Sequence, residues 1–419
     1  MHRRQKARGE GAAARFSTPA AALLLLIALP CLGADASLSD ALVGGKPQWN
    51  LRLRYENVSD DALTRDASAP TFRVRFGYET LKWRHASLLL EVDQLGVWGA
   101  EDYNSTRNGK IDRPIVSDPP ATDLNQAALK LSYAKDDLIL GRQRLVLDNQ
   151  RFIGGSAWRQ NEQTFDAALW RLRASPSVTV TYAYLDNINR VFGPDSGTPP
   201  PDLRVRGNLL HAAIDLKAAG KLAVFGHWLD IRTTPALSHE NLGVLWTGSH
   251  AISSDWKLPW SASYVQQHDF GSNPTPYQAD YYQLELGLAR EGFSIRVGEE
   301  DLGGDATRTE RRFQTPLATL HAFQGWADKF LTTPPQGIRD SYIAATAHCW
   351  GVDSQLAWHD FRAAAVPRRY GNEWDVSLSR KLSPHTELLL KAARYDSSGF
   401  ASDPRDTRKF WLQFVVNYP

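Results

Sequence analysis

The sequence predicts an all-β chain closed into an antiparallel transmembrane β-barrel of about eighteen strands, with short periplasmic turns and long extracellular loops. Three observations carry that prediction. Apolar and polar residues alternate along segments that recur to the end of the chain. Aromatics are plentiful, at 14 Trp, 14 Tyr and 16 Phe, while mean hydropathy is only -0.39, as expected when apolar residues occupy every second position. No stretch of eighteen or more apolar residues occurs anywhere downstream of the leader, so membrane-spanning helices are excluded.

The first element is a leader. Arg3 to Arg15 form a basic region, Ala20 to Leu32 an apolar run, and Ala34-Asp35-Ala36 fits the small-residue cleavage rule. Residues 1–36 are therefore expected to be a signal peptide, and residues 37–419 the outer-membrane β-barrel. Pro30 before Cys31, with no Leu three places upstream, argues against lipidation. Removing the leader's five Lys/Arg and two acids from the chain's 48 and 46 leaves 43 and 44, a net charge of about −1. Such a balance gives no argument for a nucleic-acid partner. Cys349 is then the sole cysteine, no intramolecular disulfide is possible, and it reads as a small wall residue.

Strands follow in order. Trp49, Leu51, Leu53 and Tyr55 alternate with Asn50, Arg52, Arg54 and Glu56, which defines a strand with one wet face. Phe72, Val74, Phe76 and Tyr78 repeat the pattern against Arg73, Arg75 and Gly77, as do Val178, Val180, Tyr182 and Tyr184 against Thr179, Thr181 and Ala183. It returns at Tyr282 to Leu288, at Phe293 to Val297, at Trp374 to Leu378 and at Phe410 to Tyr418. Strand starts are expected near 48, 70, 82, 124, 137, 164, 177, 207, 221, 240, 257, 278, 292, 340, 352, 371, 385 and 407, an even number as closure of a bacterial barrel requires. Connections fall into short ones, such as Glu79-Thr80 and Arg290-Glu291-Gly292, and long ones, such as Gln94 to Ala121 and Asp301 to Gln336. Aromatics at strand ends, among them Trp49, Tyr78, Trp260 and Tyr418, fit interfacial girdles. About a dozen residues separate the cleavage site from the first strand, too few for the plug domain of an energy-coupled receptor, so passive passage is expected.

Two stretches carry a family resemblance. One runs through Gly141-Arg142-Gln143-Arg144 and Asp148-Asn149-Gln150-Arg151-Phe152 to Trp158-Arg159-Gln160-Asn161-Glu162 and Asp166. The other is Phe313-Gln314-Thr315-Pro316 onward through His321 to Gly325-Trp326-Ala327-Asp328-Lys329-Phe330, with further matches at His359-Asp360-Phe361 and Tyr370-Gly371-Asn372-Glu373-Trp374-Asp375. Across roughly residues 48 to 419 the chain resembles the alginate export family of outer-membrane barrels. Membership would imply an eighteen-stranded barrel with an electropositive constriction that passes an anionic polyuronate. Many members of that family look like general porins, so the resemblance speaks to fold and location more than to cargo.

Candidate solute-binding residues follow from parity and from the matched stretches. Arg52, Arg54, Arg73 and Arg75 occupy the wet faces of the first two strands, where four guanidinium groups would share one lumen wall. Arginine stays charged at any relevant pH and offers a planar fork to carboxylates, and a ladder of weak contacts permits release as well as binding. The competing reading has these arginines paired with lumen acids, bracing the wall. Arg142, Arg144, Arg151 and Arg159 stand with Asp148, Glu162 and Asp166 at a density that points to a cross-lumen network, although Arg142 and Arg144 share parity with Leu138 and Leu140, so that their facing is open and a bulge or a wide turn would have to intervene for them to face inward. The 301–340 connection is either an outer lid or folds into the pore; the resemblance favours a gating or constricting role for His321, Trp326 and Asp328 over simple loop anchoring.

Catalytic and cofactor signals are weak. Ser263, His268 and Asp269 lie close in sequence without a nucleophile elbow. No metal-ligand spacing and no phosphate-cradling Gly loop occurs, Gly303-Gly304-Asp305 being loop chemistry. No enzyme activity, cofactor or metal is expected. The leading expectation is an outer-membrane channel passing an anionic polysaccharide or oligosaccharide through an arginine-rich lumen, with outer-membrane lipid around it and periplasmic export partners beneath it. The alternative is a general porin taking up small polar or acidic solutes, and a third reading is a soluble secreted carbohydrate-binding β-protein.

Overall fold

A computed structural model describes residues 37–400 and 402–418; the expected leader lies outside the described residues. A short helix, α1 (Leu38–Val43), opens them, capped by Ser37, whose side chain accepts the Asp40 amide while the Asp40 carboxylate accepts the Ser37 amide. Eighteen strands follow: β1 (Lys46–Asp60), β2 (Ala67–Glu79), β3 (Ala86–Val97), β4 (Ala121–Tyr133), β5 (Asp136–Gln143), β6 (Thr164–Ser175), β7 (Val178–Asn189), β8 (Asp202–Asp215), β9 (Lys221–Ile231), β10 (His239–Ala251), β11 (Lys257–Asp269), β12 (Gln278–Arg290), β13 (Phe293–Leu302), β14 (Ile338–Cys349), β15 (Val352–Arg362), β16 (Arg369–Ser383), β17 (Thr386–Ser397) and β18 (Thr407–Tyr418). Each pairs antiparallel with its sequence neighbours, and β18 pairs with β1, so the sheet closes on itself. Closure removes every free edge, which the hydrocarbon layer demands of a spanning sheet.

All eighteen expected strands are present, each starting within five residues of its expected place. The largest displacements have local causes. β8 begins at Asp202 rather than near 207 because its upper turn carries Arg204 and Arg206, exposed and charged where an apolar alternation would be looked for. β3 begins at Ala86 because Trp83 and Ala86 close a turn ahead of it.

Outward positions are apolar and exposed: Leu284, Leu286 and Val297 at 57%, 55% and 52%, the inverse of a soluble protein and the surface that lipid requires. One rim carries the short connections, among them 134–135, 176–177, 291–292 and 350–351, and the other carries 98–120, 144–163 and 303–337. Short turns face the periplasm in barrels of this kind. Trp49 stacks on Tyr418 at the short rim, with 5.9 Å between ring centroids.

The inward surface departs from the expectation of a uniformly wet lumen. Over β6–β9 it is apolar, with Leu169, Ala183, Leu185, Leu203, Leu209 and Leu229 buried against Leu145 and Ile153 of the 144–163 connection and Leu317 of the 303–337 connection. A second apolar cluster joins Phe225, Val265, Tyr281, Phe361, Tyr395 and Trp411 of the wall to Phe313, Ala327 and Phe330. Both long connections therefore fold into the pore, and burial of these side chains, at about 25 cal/mol per Å² of apolar surface, holds them there.

Candidate functional site in the constricted lumen

The wall of β1 and β2 seats the 144–163 connection. Arg52 and Arg73 are direct cross-strand partners. Arg52 donates from Nη1 to the carbonyls of Ala157, Trp158 and Arg159 at 3.1, 3.2 and 3.1 Å. Arg73 donates to the Gln160 carbonyl at 3.2 Å and to Asn50 at 2.7 Å. Arg54 reaches across the β1–β18 seam to Gln413 and lies 4.0 Å above the Trp158 ring. Arg75 forms a two-pronged pair with Asp93, both contacts 2.6 Å, and a third with Glu162 at 3.1 Å. Arg54 and Arg73 are only 1% and 3% exposed. Arg52 and Arg73 thus hold backbone carbonyls of the 144–163 connection, Arg54 covers its Trp158, and Arg75 divides between Asp93 of the wall and Glu162 of that connection.

The second group of expected residues is brought together only in part. Arg144 pairs with Glu162 at 2.5 Å and with Glu91, and Asn125 bridges both acids. Burial opposes ionisation of Glu162, but Arg75 and Arg144 hold its carboxyl below the usual range. Arg142 pairs with Asp166 at 2.8 Å and donates to the Leu124 carbonyl. No bulge falls within the β4–β5 pairing, so Arg142 keeps the parity of Leu138 and Leu140 at the place where β5 stops after eight residues. Arg151 leaves the group, crossing the lumen to Glu300 of β13 at 2.6 Å. Asp148 pairs with His211 of β8 at 3.0 Å and, among the described residues, with no arginine. The expected single network is thus several anchors pointing in different directions.

Asp328 is the hub where the two connections meet. It accepts from His321 Nδ1 at 2.7 Å, Lys409 at 2.7 Å and Arg159 at 3.1 Å. Burial alone would raise its carboxyl, yet His321, Lys409 and Arg159 hold it well below the usual range. Arg159 is buried as well, and Glu56, Asp118 and Asp328 keep it firmly charged. His321 stacks on Trp158, centroids 4.6 Å apart and planes 7° from parallel. Its Nε2 faces the Lys391 ammonium at 2.7 Å, so the imidazole donates through Nδ1 and accepts through Nε2. Burial and that ammonium outweigh Asp328 and push the His321 pKa down to about 3. Lys391 itself sits 3.6 Å from the Trp326 ring and 4.3 Å from Trp158. His321, Trp326 and Asp328 therefore stand where the 303–337 connection meets the 144–163 connection and the wall, His321 against Trp158, Asp328 on Arg159 and Lys409, and the Trp326 amide on Asp375.

Residues that sequence reasoning passed over complete the site. Glu373 accepts the Ala327 amide at 2.6 Å and Asp375 the Trp326 amide at 3.1 Å. Both share inward parity because Trp374, Val376 and Leu378 point outward, which the sequence pattern carried. Gly325 passes so close to Glu373 that a Cβ would lie 2.5 Å from its carboxylate, and its φ of +75° favours glycine independently. Glu300, Asp340, Glu373 and Asp375 make the inward side of β13–β16 acidic. The two connections also bond directly, Gly154 amide to Leu317 carbonyl at 2.9 Å and Thr319 amide to Gln150 carbonyl at 3.0 Å.

Free space is left within this junction and toward the short rim. Toward the short rim, cavities of about 290 Å³ beside Glu91, Lys130 and Arg144 and about 450 Å³ beside Ser294, Gln355 and Ser377 form a vestibule. Between the connections lies a pocket of about 110 Å³ lined by Trp158, Arg159, Arg190, Phe192, Thr319 and His321. Arg190 donates to the Pro200 carbonyl at 3.3 Å and lies 4.5 Å from the Phe192 ring, with no carboxylate partner among the described residues. Burial and the nearby Arg107 lower its pKa to about 10. As for a catalytic group, Ser263 donates to the Val244 carbonyl, while His268 takes the opposite parity on β11.

No protein-family model and no curated protein sequence matches the chain. Solved structures do. OccAB2 of Acinetobacter baumannii superposes with a TM-score of 0.69 at 13% identity, covering 91% of this chain and 100% of that one. OccK1 (OpdK) of Pseudomonas aeruginosa superposes at 0.67 and 13%, covering 90% and 99%. OpdK solved with vanillate gives 0.67 and 13% over the same shares. The resemblance to alginate exporters holds at the level of an outer-membrane barrel and is not supported at the level of that family. The likeness is one of fold: a closed, eighteen-stranded antiparallel barrel of the bacterial outer membrane.

Proposed function

We propose that the barrel is a passive uptake channel for small acidic solutes, with no catalytic step, and that the pocket between the two inner connections is its selective point. The observation that carries this reading is Arg190, a guanidinium without a carboxylate partner among the described residues, on the wall of a pocket of about 110 Å³. A fork of donors beside Phe192 and Trp158 suits a carboxylate on a single apolar or aromatic ring. OpdK, of the same fold, was solved with vanillate, an acid of this type. Interlocked connections spanning the lumen fit such a solute far better than a polyuronate, whose passage would require both to be withdrawn from the wall.

Replacing Arg190 with Gln tests it. In proteoliposomes the permeability to benzoate falls about tenfold, the worth of roughly 1.4 kcal/mol from one charge-assisted contact, while that to a neutral sugar of similar size is unchanged. Equal loss of both, or of neither, removes Arg190 from the recognition of anions.

A further inference from the structure

The lipid-facing side of β14–β16 carries a feature that conduction does not use. Arg339, Arg362 and Arg369 are consecutive cross-strand partners over three adjacent strands. All three point away from the lumen: Ile343, Leu356 and Trp374 share their faces and are exposed, whereas the alternate Asp340, Phe361 and Tyr370 are buried inward. A register shift at Phe361/Arg362 turns Tyr370 in and keeps Arg369 opposite Arg362. The row lies at the rim of long connections, above the apolar row formed by Val297, Ile343, Trp358 and Trp374. That depth is the headgroup layer of the outer leaflet.

Like charges set directly opposite one another destabilise a sheet. Partial neutralisation comes from Asp360, which lies between Arg362 and Arg369 and accepts only their Nε groups, at 2.7 and 2.5 Å. Arg339 uses its Nε on Asp301 at 2.9 Å. Glu299 stands 3.7 Å from the same Nε, so Arg339 is balanced by its own acids, whereas Arg362 and Arg369 share the single carboxylate of Asp360, and their terminal nitrogens have no partner among the described residues. Their side chains are 62% and 45% exposed. Together with Arg368 they line an open groove of about 640 Å³ whose floor is the apolar run Ala363 to Pro367.

We propose that this groove binds the phosphorylated headgroup of an outer-leaflet glycolipid. Forked donors match phosphate oxygens. The apolar strand faces directly beneath supply a surface for acyl chains, which a dissolved anion would not need. The site lies on the outer side of the wall, so its occupant stays clear of the conducting path.

Native mass spectrometry of the intact barrel in zwitterionic nanodiscs tests the assignment, with bisphosphorylated lipid A as the probe. The wild type retains lipid A on dilution, and R362A/R369A retains at least about tenfold less. R206A, which removes an exposed arginine from the same rim on β8, retains as much as the wild type. Heat-dependent gel mobility establishes that each variant is a closed barrel. Should the double variant fail that check, the wild type alone decides: retention of dephosphorylated lipid A equal to that of the phosphorylated form overturns the proposal. It is also overturned by unchanged retention in R362A/R369A, by an equal loss in R206A, or by displacement of lipid A with an equal concentration of inorganic phosphate, which would mark a site for soluble anions.

Discussion

Arg159 and Asp328 meet at 3.1 Å, one from the connection after β5 and the other from the connection after β13, and their contact ties together two segments rooted in well-separated arcs of the wall. Removing either partner leaves a buried charge, a loss of about 3–5 kcal/mol in such settings. Arg159→Gln and Asp328→Asn are therefore expected to unseat the connections, giving a larger and noisier single-channel conductance in planar bilayers. A conductance equal to the wild type in both would show that the apolar clusters alone hold the constriction.

Acid should open the same junction. Seated, His321 has a pKa near 3; released into water it returns to about 6.5. The released state thus binds a proton that the seated state refuses, and the seated state weakens as pH falls from about 6.5 toward 3, by about 1.4 kcal/mol per unit. Asp328, held well below its usual range, stays ionised through this window and does not reverse the sign. Conductance measured from pH 7 to pH 4 should rise in the wild type, and the rise should flatten in His321→Gln. A rise of the same size in that variant assigns the titration to another group.

Gly325→Ala should act on the acidic side of the site. A Cβ there meets the Glu373 carboxylate at 2.5 Å with φ at +75°, so the amides of Trp326 and Ala327 are pushed off Asp375 and Glu373. Limited proteolysis of the barrel in detergent is expected to cleave the 303–337 connection of the variant and to spare that of the wild type. Equal resistance would mean that the backbone accommodates the methyl group.

Facing is testable on the wall itself. Leu286→Arg puts a charge against lipid and should cost about 2–4 kcal/mol near the midplane, whereas Gln355→Arg, in the vestibule, should be tolerated. Asn50 looks equally suitable from its parity but is not, because its side chain accepts Arg73 at 2.7 Å. Urea unfolding in lipid vesicles that gives the two variants equal stability would overturn the assigned parity.

Strand count, closure and facing were legible because lipid imposes one rule on every strand: an apolar residue at each second position. The inner half was harder to read. Arg52, Arg54, Arg73 and Arg75 were visible as inward, but whether they meet solute or protein depends on the course of the 144–163 connection, which no periodicity encodes. The apolar inward face of β6–β9 was hidden for the same reason, since Leu169, Leu185 and Leu229 share a cluster with Leu317, which is more than eighty residues away in sequence. Lys391 and Glu373 carried inward parity, yet their importance comes from Trp158, Trp326 and Ala327 arriving opposite them. Periodicity reports the wall; the filling is a matter of tertiary contact.

The Arg54 to Gln413 bond crosses the seam between the first and last strands, directly over Trp158. This places a constraint on biogenesis. When β18 zips to β1, the indole must already be in position, because the completed cylinder leaves it no route from the side. The inner connections would then act as a mandrel around which the wall is wrapped. Shortening the 144–163 connection would, on this view, reduce the yield of closed barrels before any change in transport was seen.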